Sequence, residues 1–120
     1  MSHLNQADKS NRVYRLDRFL VPAAAREEFL SRVQVTHEIL RRQHGFLQDF
    51  LIEQKLDSGD YAIATLVEWD SQATVERAVP VVKAAHERMG FNPGEFIARL
   101  GIKPEIGFYR AIEERQAVAA

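Results

Sequence analysis

Apolar and polar residues alternate, or apolar groups crowd both faces, in four stretches of the chain, and apolar residues recur every three or four positions in two others. From 12 to 21, the β-formers Val13, Tyr14, Leu16, Phe19, Leu20 and Val21 interleave with Arg15, Asp17 and Arg18, which predicts a strand ended by Pro22. One face of it holds Val13, Arg15, Asp17, Phe19 and Val21, the other Tyr14, Leu16, Arg18 and Leu20. Phe29, Leu30, Val33 and Leu40 then keep helical spacing, so a first helix follows Pro22 and stops before Gly45. Gly45 opens a second strand, 46–56, with Phe46, Phe50 and Ile52 on one face and Leu47 and Leu51 on the other. The turn residues Asp57-Ser58-Gly59-Asp60 join it to a third strand, 61–69, as a hairpin.

Asp70 or Ser71 can cap a second helix, with Ala73, Ala78 and Val79 as a modest apolar face. Pro80 lacks an amide proton and crowds the preceding turn, which predicts a break there, with a second helical piece running to Met89 and stopped by Gly90. Asn92-Pro93-Gly94 reads as a turn, 95–100 as a short helical excursion, and 105–112 as a fourth strand. Residues 1–11 are polar and aperiodic and read as a flexible arm, 12–112 as one domain, and 113–120 as a frayed or weakly helical tail. The order β-α-β-β-α-β is that of an α+β, ferredoxin-like domain: a four-stranded antiparallel sheet with helices on one face. Its other face has no element left to cover it, and a second copy is the economical cover, so a homodimer is expected.

Composition narrows the function classes. At 120 residues and 46% hydrophobic, the chain supports one core. Its 16 basic and 17 acidic residues give a net charge of −1 without a basic run, which argues against a nucleic-acid partner. No apolar stretch approaches the ~20 residues that span a bilayer, and no secretory leader is visible, so a cytoplasmic protein without a membrane partner is expected. Without cysteine, disulfides, thiolate metal sites and cysteine nucleophiles are excluded. The four histidines lack the spacings of a preformed metal site, and no phosphate loop, serine elbow or cation loop appears, so no metal or cofactor is expected.

Chemistry must then rest on a few residues. His37 follows Val33 by four and precedes Leu40 by three; His86 stands likewise between Val82 and Met89. If both face inward, they flank a space between helices and sheet, where desolvation favours the neutral, basic imidazole; the alternative is two amphipathic residues at the helix margins. Asp17, mid-strand, needs a partner such as Arg15 or is kept for a ligand. Trp69 is either core at a strand-to-helix corner or a pocket wall, and Tyr61 and Tyr109 are ambiguous in the same way.

Val21-Pro22, Gly45-Phe46-Leu47 and Glu68-Trp69-Asp70-Ser71-Gln72-Ala73, in this order and spacing, resemble the antibiotic biosynthesis monooxygenase family of dimeric α/β-barrel proteins over residues 12–112. The resemblance implies two protomers joined back to back through their sheets, each with a pocket between helices and sheet for a small apolar or aromatic ligand. Some members oxidise phenols or quinols with dioxygen and no cofactor, which requires a dry pocket, a base and donors for an oxyanion. The resemblance thus implies His86 or His37 as base, Arg15 as anion partner beside Asp17, Trp69 as wall, and Tyr61 or Tyr109 as donor. In a second, haem-degrading branch, Val82-Lys83-Ala84-Ala85-His86 resembles the helix carrying the axial histidine. That branch has an asparagine where this chain has Asp17, and a helix-2 tryptophan where it has Arg77, Ala78 or Val79. A non-catalytic module that binds a small ligand in the same pocket is the further alternative.

Overall fold

The computed structural model describes residues 9–112; most of the expected arm and all of the expected tail lie outside the described residues. Strands β1 (Val13–Val21), β2 (Phe46–Lys55), β3 (Tyr61–Trp69) and β4 (Lys103–Arg110) form one antiparallel sheet in the order β2-β3-β1-β4. Helices α1 (Arg26–Arg41), α2 (Gln72–Arg88) and α3 (Pro93–Arg99) pack on one face, α1 entered through a 3₁₀ turn at Ala23–Ala25. This is the ferredoxin-like α+β fold expected from the element order.

The alternation in β1 decides which face the helices take. Val13, Asp17, Phe19 and Val21 are buried, whereas Arg18 and Leu20 are exposed. Two core clusters sit on the helix side. Phe19, Val21, Phe29, Ile63, Phe96 and Ile102 pack together with α1 and α3; Val13, Val67, Trp69, Val75 and Ala78 pack with the first half of α2. Each large apolar side chain so buried contributes roughly 1.5–3 kcal/mol.

Four local expectations are corrected. Pro80 does not break the second helix: α2 runs unbroken from Gln72 to Arg88. Pro80 and Glu76, whose carbonyl loses its usual donor, are both exposed, so water can satisfy that carbonyl while Val75, Ala78 and Ala85 hold both halves down. Asn92-Pro93-Gly94 is the start of a helix rather than a free turn, because Asn92 Oδ1 accepts the Glu95 amide at 3.0 Å and proline suits the first helical turn. The last strand spans Lys103–Arg110, two residues earlier than expected at each end; Pro104 is tolerated because β4 is an edge strand paired with β1 alone. A bulge between Phe46 and Gln48 shifts the face of β2, so Phe46 joins Trp69 on the helix side at 6.0 Å, edge to face, while Phe50 and Ile52 point the other way.

The β2 entry and the α2 entry lock together at Gly45. Its φ is +92°, and a Cβ there would lie 2.3 Å from Thr74 Cβ, so no side chain fits. Asp70 N donates to Gly45 O at 2.9 Å, and Ser71 caps α2 by accepting from Thr74 N at 3.3 Å. Among the described residues no helix is long and apolar enough to cross a membrane.

Candidate functional site

Between the two core clusters lies a cavity of about 520 Å³. Phe19, Phe29 and Phe96 wall one end, Val67, Trp69 and Val75 the other. Ile106 and Phe108 of β4, 57% and 51% exposed, and Val79 of α2, also exposed, rim its mouth. The cavity is mostly apolar, with a few polar groups converging on it, the form that small-molecule sites take.

His86 lies on the cavity side of α2 and is 9% exposed. Its Nε2 is 2.9 Å from Thr36 Oγ1 of α1, and its ring meets Phe91 edge-on at 5.1 Å. Arg32, one turn before Thr36, stacks on the same Phe91 with its guanidinium carbon 4.5 Å from the ring centre, and forms no ion pair among the described residues. Burial and the Arg32 charge both push the His86 pKa down, so the imidazole is neutral at pH 7 and able to accept a proton.

His37, 5% exposed, also lines the cavity. Its Nδ1 is 2.9 Å from Asp49 Oδ2, which also receives Arg41 Nε at 3.0 Å. Burial raises the Asp49 carboxyl, but the hydrogen bonds from His37 and Arg41 outweigh it and hold it below its ordinary range. Asp49 is therefore a carboxylate, and His37 Nδ1 donates to it.

Asp17, 8% exposed, accepts Arg15 Nε at 2.9 and 3.2 Å, and the Arg15 guanidinium lies 5.3 Å from the centre of Phe108. Both line the cavity, and Trp69, 4% exposed, serves as core and wall together. The two tyrosines are not brought there. Tyr61 stands at the far end of β3 between Arg26 and Lys55, and Tyr109, opposite Tyr14 on the face away from the helices, is 53% exposed. The pairing of Phe108 with Arg15 fixes this parity: Ile106 and Phe108 take the helix side, so Tyr109 cannot.

Arg32, Thr36, Asp49, Phe91 and Phe108 were not among the residues singled out from sequence. A signal existed for two: Asp49 is a mid-strand carboxylate like Asp17, and Thr36 lies one helical turn from Arg32 beside His37. Among the described residues no group of three or more His, Asp or Glu is placed to hold a metal ion. A haem iron fits His86 poorly, because Thr36 already occupies the Nε2 that would coordinate it.

No family model matches the chain, and no curated protein matches it in sequence. Solved structures do. SnoaB, a cofactor-independent oxygenase from Streptomyces nogalater, superposes with a TM-score of 0.58 at 22% identity, covering 92% of this chain and 99% of its own. A Caulobacter crescentus CB15 protein provisionally assigned as an antibiotic biosynthesis monooxygenase gives 0.58 at 20% identity, covering 94% and 100%. A dimeric ferredoxin-like protein from an uncultured marine organism gives 0.62 at 15%, covering 87% and 98%. In structure, then, the chain resembles the antibiotic biosynthesis monooxygenases suggested by its sequence motifs and shares their ferredoxin-like fold.

Proposed function

We propose that this chain is a cofactor-independent monooxygenase that oxidises a small phenolic or quinol-like aromatic with dioxygen, working as a homodimer. The observation that carries the reading is an apolar cavity in which a buried imidazole, His37 or His86, meets a cation, Arg15 or Arg32. Such a pair favours loss of a proton from a substrate hydroxyl and then balances the oxyanion, which makes the aromatic electron-rich enough to reduce dioxygen. At an activated methylene, the substrate supplies all the electrons: CH2 and O2 become C=O and H2O. Arg15, held by Asp17, supports a second anionic position, and Trp69 and Phe108 offer faces to an aromatic ring.

Oxygen uptake with a panel of anthrones and hydroquinones tests the reading. Wild type is expected to turn over at least one of them, and His86→Ala or His37→Ala to lose about 10²-fold or more in rate. Equal rates in all three proteins would remove the imidazole base. Saturable binding with no uptake in wild type would point instead to a ligand-binding module.

A further inference from the structure

Two imidazoles reach the cavity, and their hydrogen bonds differ in a way that separates their roles. We propose that His37 is the proton acceptor of this cavity and that Asp49, outside the cavity, is the positioning residue that keeps it ready, an assignment that rests on the oxygenase reading above.

Asp49 lies behind His37 as seen from the cavity, on the helix side of β2, and does not itself line the space. Its carboxylate accepts the hydrogen bond from His37 Nδ1–H at 2.9 Å, which selects, for the neutral ring, the tautomer with Nε2 bare. Among the described residues nothing is hydrogen-bonded to that Nε2. Arg41 binds the same Oδ2 from α1 and keeps the carboxylate from turning away. His86 is in the opposite condition: its Nε2 is engaged at 2.9 Å by Thr36, so a substrate proton would have to displace a hydroxyl.

The charge arrangement agrees. A proton leaving a substrate hydroxyl breaks its O–H bond and forms Nε2–H on His37, while the electron pair stays on oxygen as a phenolate. The imidazolium then faces the Asp49 carboxylate, and the phenolate shares the cavity with the cation Arg32, while Arg15 and Asp17 offset each other, as the exposed Lys83 and Glu87 at the margin do in sign. A carboxylate that orients a histidine in this way acts through tautomer and charge without touching substrate. The competing account is a strut, an ion pair whose sole role is to tie α1 to β2.

The deciding experiment uses 2-hydroxyanthraquinone, a phenol that dioxygen does not consume and whose phenolate absorbs at longer wavelength. Nitrogen-15 NMR of the free protein reads the His37 tautomer, and absorbance reads the ionisation of the bound probe about two pH units below its own pKa, where the free probe is almost wholly protonated. The expected result is His37 protonated on Nδ1 alone, with probe bound as phenolate by wild type. The bound phenolate fraction should fall about tenfold in His37→Ala and several-fold in Asp49→Asn. Asp49→Glu should restore part of it. A proton on His37 Nε2, or undiminished phenolate in His37→Ala, would overturn the assignment; unchanged phenolate in Asp49→Asn would reduce Asp49 to the strut. If the probe does not bind at all, the cavity reading fails on its own, and the tautomer still decides for or against the Asp49–His37 arrangement.

Discussion

Glu68 shows what it takes to keep a carboxylate on this sheet. It lies on the face away from the helices, 4% exposed, and is bonded by Arg12 Nη1, by Gln48 Nε2 at 2.6 Å and by Tyr14 Oη at 3.2 Å. Burial by itself would raise its pKa; the three donors outweigh that and lower it. A carboxyl whose folded pKa lies below its unfolded one adds stability above the ordinary carboxylate range, and that stability is lost as pH falls through the folded value. Asp49 acts in the same sense. His86, whose pKa is also lowered, does so from about pH 6.5 downward, because the unfolded chain binds its proton first. Glu68→Gln should therefore be less stable than wild type at pH 7, yet lose less unfolding free energy between about pH 5 and pH 3. Urea titrations across that range check it, and parallel curves would show that Glu68 carries none of the acid sensitivity. The Arg15–Asp17 pair was readable from the strand's alternation, since residues two apart share a face. Asp49 was not, because its face depends on a bulge that spacing does not announce.

Helix α2 is the element where local propensity and tertiary packing disagree. Proline in a helix interior costs about 3 kcal/mol relative to alanine, and the chain accepts this at Pro80 because the missing bond faces solvent. Pro80→Ala should raise the unfolding free energy by roughly 1–3 kcal/mol in denaturant titrations, with the midpoint moving and the slope unchanged. A destabilised variant would mean that the proline fits a bend that the helix needs. The Ser71 cap was legible because it is chemical, an oxygen presented to an amide three residues on; Asn92 caps α3 in the same way, but beside Pro93-Gly94 it reads as a turn. The extent of α2 was not legible, since a proline's cost is local and the compensating burial of Val75, Ala78 and Ala85 comes from the sheet beneath.

At the scale of the molecule, the face opposite the helices carries Leu20, Phe50, Ile52 and Tyr109, all at least 36% exposed. Exposed apolar side chains spread over one sheet face are what a second copy would cover, burying about 800 Å² per partner in an ordinary stable interface. Phe50→Glu together with Ile52→Glu should convert a dimer to a folded monomer in analytical ultracentrifugation, with helix content unchanged by circular dichroism. A wild-type chain that sediments as a monomer at micromolar concentration would sink the homodimer. The sequence alone determined the order of the elements, the antiparallel sheet and the division of β1 into two faces, because these follow from periodicity and from the backbone's need for partners, whereas the inward turn of His37 and His86 was one of two readings until the helices were placed. Only the tertiary structure decided that Asp49 meets His37, that Thr36 and Arg32 attend His86, and that Tyr61 and Tyr109 stand outside the cavity. Those outcomes depend on one bulge, on the pairing register of an edge strand and on the approach of two helices, which are set by packing across the chain rather than by any neighbouring residues in it.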